Sequence, residues 1–357
     1  MWSKELDDSI VSDDGKIIYF STSRFISDIA EGSCCFVCGA TPGSKPFNDE
    51  HVLPEWVLRR YNLFDRTVGL PNFTSFRYDR YKVPCCGECN SLMGRTIEQP
   101  MRSIIDGGHS SLSDYLKSDG PLLPFTWMAL IFMKTHLRDR TLSMHLDRRI
   151  SASAIASAYD WSDLHHVHTI CRSFFTKASI AREAFGSMFV LPANCDSGEE
   201  EFDFYDLYAA QTLLIRMNDV AMLTVFNDSA AVTNHLLSVT EGIAGPLSSV
   251  QLRELLVEAA CCNLQLKTRP VFQSAINLAR EHAEIIAAIP SNQPEFEPRD
   301  FNLRGKMMET VFRDLLTRGQ FEGHTREEFL SKVRDGRATF LYDDNGQFIR
   351  ESLKRKI

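Results

Sequence analysis

The stretches CCFVCG at residues 34–39 and VPCCGECN at residues 83–90 decide the fold, because each contains a C-x-x-C pair. Two such turns supply the four sulfurs that a tetrahedral zinc ion requires, and a closed four-sulfur site is structural. A further cysteine, Cys34 or Cys85, precedes each pair, so the ligand register is open by one residue. The C-x-x-C spacing favours as zinc ligands Cys35, Cys38, Cys86 and Cys89.

An acidic-His pair, Glu50-His51, lies between the two cysteine pairs in NDEHVLPEW at residues 48–56. Phosphodiester hydrolysis needs a general base and a cation beside the scissile phosphate. His51 titrates in the range that suits a base. The Glu50 carboxylate and the amide of Asn90, directly after the last cysteine, offer the oxygen ligands that Mg²⁺ prefers.

The segments around these residues are predicted to alternate between strand and helix. Residues 50–53 are expected to be extended, and Pro54 suits the first position of a short helix ending near residue 62. Residues 75–84 are predicted to form a strand. Residues 90–98 are predicted to form a helix that Pro100 ends.

The order C-x-x-C, E-H-x-x-P, C-x-x-C-N over residues 34–98 resembles the HNH endonucleases, whose core is a zinc-finger-like ββα-metal fold. The resemblance implies that His51 is the general base in the cleavage of DNA. It implies that Glu50 and Asn90 bind a catalytic Mg²⁺ or Mn²⁺ ion. It also makes Asn72 the candidate for the residue that orients the base histidine.

Some positions depart from that pattern or leave alternatives open. Gly94 stands where some relatives carry a second histidine, one helical turn after Asn90. Glu98, two turns after Asn90, is an additional candidate ligand, and Asp49 is an alternative to Glu50 as the acid. Asn72 also suits a turn, and Asn90 also suits a helix cap.

Composition and charge are those of a folded protein with a slightly basic head. The chain has 357 residues, 44% hydrophobic and 24% charged, and a net charge of −8. Residues 34–105 contain nine Lys and Arg and seven Asp and Glu, so this part carries +2 and the remainder −10. This distribution suits local contact with phosphate and argues against a protein coated with nucleic acid.

The sequence favours a reducing compartment, and we expect a cytoplasmic protein. Cysteines clustered in C-x-x-C pairs indicate metal ligands rather than disulfides. The polar, acidic N-terminus does not resemble a signal peptide, and the apolar run Trp127–Met133 is too short to span a bilayer. The cysteines outside the two clusters are expected to be buried thiols, namely Cys171, Cys195, Cys261 and Cys262.

The rest of the chain is predicted to be a mixed helical and antiparallel-sheet body. Residues 107–113 indicate a loop, and three histidines are expected at or near the surface, namely His165, His166 and His168. The predicted helices are 125–138, 161–177 capped by Asp160, 250–264, 271–288, 305–318 and one capped by Thr325 with Glu328. The predicted strands are 188–192, 202–217 and 220–225, with a hairpin at 338–351 after a linker at 290–298.

The sequence therefore predicts an α+β protein with a ββα-metal (treble-clef-like) head followed by a mixed body. The expected domains are residues 1–105, 106–289 and 290–357. The expected function is metal-dependent cleavage of double-stranded DNA, with structural zinc and catalytic Mg²⁺ or Mn²⁺. A nuclease head on such a body is similar in architecture to bacterial antiviral defence effectors, and a homo-oligomer is compatible with it. The alternative is a non-catalytic zinc module that binds nucleic acid or protein.

Overall fold

The computed structural model describes residues 1–145, 147, 149, 153–196, 199–290, 293–317, 320–321, 325–350 and 355–356. The strands are β1 Trp2–Lys4, β2 Ile10–Ser12, β3 Ile17–Tyr19, β4 Phe47–His51, β5 Thr67–Gly69, β6 Ser75–Arg77, β7 Lys82–Cys86, β8 Ser179–Ile180, β9 Met188–Pro192, β10 Phe202–Leu207, β11 Thr212–Met217, β12 Val220–Val225, β13 Val271–Asn277, β14 His282–Ala288, β15 Gln320–Phe321 and β16 Arg355–Lys356. The helices are α1 Thr22–Arg24, α2 Glu55–Arg60, α3 Gly87–Met93, α4 Gln99–Asp106, α5 Gly108–Asp119, α6 Leu122–Asp139, α7 His165–Cys171, α8 Ser173–Thr176, α9 Ala231–Glu241, α10 Ser249–Leu264, α11 Phe301–Thr317 and α12 Arg326–Arg334.

Helices and separate small sheets confirm the predicted α+β class. The chain divides into two compact units that interleave along the sequence, and their edges differ from the three consecutive segments expected above. Unit 1 comprises Met1–Ser103, Gly120–Ala184 and Phe272–Ala288, and unit 2 comprises Ile104–Asp119, Phe185–Val271 and Ile289–Ile357. Within the described part of the chain, every helix is too short or too polar to cross a lipid bilayer.

Helix α6 forms the centre of unit 1, since nearly all of its side chains from Pro124 onward are buried. Its apolar run confirms the predicted core helix and also buries Lys134 and Asp139. Nearby, β4 pairs with β7 in antiparallel register, and α3 leaves directly from the end of β7. The β5–β6 pair lies between α2 and β7, and the predicted strand 75–84 is divided into β6 and β7 by a 3-10 turn at Tyr78–Arg80.

Two predictions about the segment after the second cysteine pair are wrong. Pro100 does not end the helix, because α3 continues through a π-helical turn at Gly94–Glu98 into α4. Such a turn changes the hydrogen-bond spacing just before the proline, where a missing N–H is more easily tolerated. Residues 107–113 are not a loop either. The chain reverses at Gly108, which has a φ of +72°, and α5 begins there.

Unit 2 contains the predicted antiparallel sheet, with strands in the order β10-β11-β12-β9. Asn218, with a left-handed φ of 51°, forms the tight turn that joins β11 to β12. Helix α10 packs against this sheet and begins with a capping box in which Ser248 and Gln251 bond each other's backbone N–H. The capping box that the sequence predicts, Thr325 with Glu328, begins α12.

Other parts of the body differ from the sequence predictions. Residues 271–288 form the antiparallel strands β13 and β14 rather than a helix, because burial alternates along both and Glu281, with a φ of 49°, reverses the chain. The helix that Asp160 caps divides into a 3-10 turn, α7 and α8. Cys195 is exposed rather than buried. Residues 291–292 of the predicted linker, residue 318 of the predicted helix and residue 351 of the predicted hairpin lie outside the described residues.

Candidate metal centre and its surroundings

The four cysteines selected by the C-x-x-C spacing come together in unit 1. Cys35 and Cys38 lie on the turn between the π-helical segment Phe25–Ala30 and β4, Cys86 ends β7, and Cys89 lies in the first turn of α3. Their four sulfur atoms lie within 4.8 Å of one another. The Cys38 and Cys86 sulfurs are 3.7 Å apart, and tetrahedral zinc with Zn–S bonds of about 2.3 Å separates sulfurs by about 3.8 Å. These four thiols can hold a zinc ion.

The neighbouring cysteines are placed differently from these four. Cys34 is half-buried outside the group, and Cys85 lies on the other face of β7 because side chains alternate along a strand. The Cys85 sulfur still lies 3.8 Å from that of Cys35. The structure therefore groups the sulfurs in the register that keeps both two-residue spacings.

The electrostatics of the four-sulfur group favour a cation. Hydrogen bonds from the other thiols hold the pKa of Cys35 well below its usual range. The same contacts raise the pKa of Cys89 and, to about 12, that of Cys38. One thiolate thus opposes ionisation of its neighbours, and a bound divalent ion would offset that repulsion and allow all four to ionise.

Helix α7 and the residue after it support the first cysteine turn from far along the chain. The His168 Nε2 atom lies 2.7 Å from the Phe36 carbonyl oxygen, and the Arg172 guanidinium donates to the Val37 carbonyl and to the carbonyls of β3. His168 is fully buried, and burial holds its pKa well below the usual value. The expectation of a surface or partly buried histidine is therefore wrong for His168.

Substitution of His168 by alanine is expected to lower the affinity for zinc roughly 10–100-fold, the usual effect of losing a group that orients a metal site. The carbonyl of Phe36 lies between two candidate ligands and would lose its donor. Competition with a chromophoric chelator measures the change, with His166→Ala as the matched control. Equal zinc affinity in the two variants would contradict this role for His168.

Alternation along β4 separates the predicted site residues onto two faces. Asn48 and Glu50 lie on one face, and Asp49 and His51 lie on the other. The Asn90 side-chain amide donates to the Asn48 side-chain oxygen at 3.2 Å, so Asn90 lies at the first face. The structure thus brings Asn90 beside β4 but on the face opposite to that of His51.

Glu50 is buried, and its carboxylate oxygen lies 2.9 Å from the Lys134 Nζ atom. The same ammonium lies 3.7 Å from a carboxylate oxygen of Glu98. Burial would lower the pKa of Lys134, but its two carboxylate neighbours outweigh burial and raise it. Burial, together with the nearby Glu50, raises the pKa of Glu98 to about 7. Lys134 is thus the cation that this pair of carboxylates already holds.

His51 ends β4 half-buried, with its ring 6.3 Å from that of Phe64. Burial and then the charge of Lys82 lower its pKa, so the imidazole is neutral at pH 7. Among the described residues, neither ring nitrogen has a hydrogen-bond partner. Such an imidazole is able to accept a proton.

Asn72 holds a turn together. Its side-chain oxygen accepts from the Thr74 backbone N–H at 3.1 Å, and its amide donates to the Ser143 and Met144 carbonyls. None of these bonds reaches His51, so the role of orienting the base stays a prediction.

Comparisons with protein-family models, with curated proteins and with solved structures found no match to this chain.

Proposed function

We propose that the chain is an HNH-type, metal-dependent endonuclease that hydrolyses phosphodiester bonds in double-stranded DNA. The observation that carries the proposal is the neutral, half-buried His51 imidazole, which has no partner among the described residues. It lies at the end of a strand whose pairing partner, β7, ends in a cysteine of the four-sulfur group. His51 would take the proton from the attacking water.

The proposal also needs a catalytic divalent ion, and the carboxylate predicted to bind it, that of Glu50, already has another partner. The ion would supply positive charge at the scissile phosphate and suits carboxylate and amide oxygens. Glu50 already has an ammonium partner, whereas Asp49 is exposed and forms no ion pair with a described residue. The side-chain oxygen of Asn90 accepts no hydrogen bond in the described part of the chain, since its contact with Asn48 is a donation from the amide nitrogen. Asp49 thus becomes the main alternative to Glu50, and comparing Asp49→Asn with Glu50→Gln decides between them.

A second candidate function is a non-catalytic zinc module that binds nucleic acid or protein. The specific observation in its favour is that Glu50 is neutralised by Lys134 and that Asn90 already bonds Asn48. A binding surface needs no free carboxylate beside a base. This alternative retains the zinc and gives up the hydrolysis.

Substitution of His51 by alanine is expected to slow DNA cleavage 10²–10⁴-fold, the usual contribution of a general base. Nicking of supercoiled plasmid with Mg²⁺ or Mn²⁺ measures the rate, and His282→Ala is the matched control. Equal cleavage by wild type and His51→Ala would remove His51 as the base. No cleavage by wild type on duplex DNA, single-stranded DNA or RNA would favour the binding module.

A further inference from the structure

Unit 1 has a cleft of about 310 Å³ between the β4–β7 pair and the end of α6. Besides apolar groups and Thr141 it is lined by three cationic and two acidic side chains, namely Arg80, Lys82, Arg138, Asp49 and Asp79. We propose that Arg80, Lys82 and Arg138 bind the phosphate backbone of a nucleic-acid strand in this cleft. This inference rests on the proposed function, and it locates the nucleic-acid substrate in the cleft.

The three cations of the cleft lack the acidic partners that some basic residues of the same unit have. Among the described residues, no acidic side chain lies within ion-pair distance of Arg80, Lys82 or Arg138. Neighbouring basic side chains have acidic partners instead, in the pairs Lys45–Glu88, Arg59–Glu55 and Arg77–Asp79. Three unpaired cations on one cleft leave positive charge that an anion would neutralise.

Arg138 provides the strongest evidence that the cleft binds an anion. Its Nε atom is buried without a hydrogen-bond partner in the described structure, and burial lowers the pKa of the guanidinium. The group lies over the Phe76 ring, 5.2 Å from its centre, near the end of the rigid helix α6. A half-buried, unpaired guanidinium is costly, and a phosphate oxygen would supply the missing acceptor.

The acidic residues of the cleft are compatible with this ligand. Asp79 is already engaged by Arg77 at 2.9 Å, which leaves Asp49 as the free carboxylate at the rim. Asp49 attracts Arg138 weakly and would repel a phosphate. Its removal is therefore expected to tighten anion binding.

A nucleic-acid strand suits the position of the cleft better than a free phosphate ion does. Lys82 pairs directly with His51 in the β4–β7 register, and paired residues share a face of the strands. A phosphate held by Lys82 would therefore lie beside the proposed base. Cations distributed along a cleft of this size also suit successive phosphates of one strand.

The test measures binding of a fluorescent 20-nucleotide DNA, single-stranded and duplex, by anisotropy in buffer without Mg²⁺ or Mn²⁺ and without a chelator, so that the catalytic ion is withheld and the zinc stays bound. Arg80→Gln, Lys82→Gln and Arg138→Gln are each expected to weaken binding roughly tenfold and to reduce the salt slope by about one. Arg59→Gln, which removes a paired cation of the same unit, is the matched control and should bind as wild type does. Asp49→Asn should bind more tightly.

Two results would overturn the inference. One is an Arg80→Gln/Lys82→Gln double variant that binds DNA with the affinity and salt slope of wild type. This variant leaves the half-buried Arg138 unchanged, so a folding defect is not expected. The other is displacement of the DNA by equimolar inorganic phosphate, which would make the cleft a free-phosphate site. His51→Ala keeps the two proposals apart, because it should slow cleavage 10²–10⁴-fold and leave this binding intact.

Discussion

Substitution of Cys89 by serine is expected to remove zinc from the chain and to unfold the cysteine turns together with β4, β7 and the start of α3. Structural zinc contributes about 10–16 kcal/mol in small zinc-binding peptides. Whole domains are stable by only about 5–15 kcal/mol, so loss of the metal is comparable to the entire stability of this region. The β4–β7 pair has only five residues in each strand, so it depends on the groups that hold it from outside.

Metal analysis and calorimetry of the full chain measure the effect of Cys89→Ser. We expect one zinc per wild-type chain, a strongly reduced content in the variant and loss of the main thermal transition of unit 1. Cys34→Ser is the matched control, because Cys34 lies just outside the four-sulfur group. Retention of zinc and of the transition by Cys89→Ser would contradict the ligand assignment.

Substitution of Lys134 by methionine is expected to destabilise unit 1 by about 3–5 kcal/mol, the usual cost of removing one partner of a buried ion pair. Methionine nearly preserves the volume of the side chain, so the loss is electrostatic. The change leaves Glu50 and Glu98 beside each other in a buried site without the ammonium that both contact. Urea unfolding of the variant and the wild type measures the difference.

The pH dependence of that loss has a definite sign. Without Lys134 the pKa of Glu98, which burial already raises to about 7, loses the ammonium that lowers it and rises further above the unfolded value of about 4.3. The folded variant then binds more protons than the unfolded chain, so its stability is present at low pH and falls as pH rises. We expect a small deficit relative to wild type at pH 5 and the full deficit at pH 8.

A second variant provides the control for the Lys134 prediction. Lys134→Met combined with Glu98→Gln should recover part of the stability at pH 8, because only one carboxylate then remains without a partner. Equal losses at pH 5 and pH 8 would show that the cost of Lys134→Met comes from packing instead of charge.

The cysteine set and the elements beside it follow from local spacing, which is why the sequence predicts them. The C-x-x-C distance selects Cys35 and Cys86 over their neighbours, and the structure groups those sulfurs. Pro54 is the N-cap of α2, one residue before the first helical position that the sequence predicts for it. The apolar stripe of α6 identifies the core of unit 1 in the same way, because its periodicity is visible within one helix.

The residues that support the site lie far from it in the sequence, so no local sequence pattern predicts their contacts. His168 and Arg172 reach the first cysteine turn from more than 130 residues away. Lys134 lies within the apolar stripe of α6, so the sequence pattern alone does not identify it as part of an ion pair. A lone lysine on a fully buried helix nevertheless indicates that it has a buried acidic partner. The prediction of a helix at 271–288 is wrong for another reason. The apolar residues of this segment fit both a helical and an alternating pattern, and the structure has two strands there.

Four cysteine sulfurs are expected to hold one zinc ion that fixes the β4–β7 pair to α3. X-ray absorption at the zinc edge of the purified full chain measures the ligands of that ion. We expect one zinc per chain with four sulfur ligands at about 2.3 Å. A first shell that mixes sulfur with nitrogen or oxygen, or a chain that binds no zinc, would contradict it.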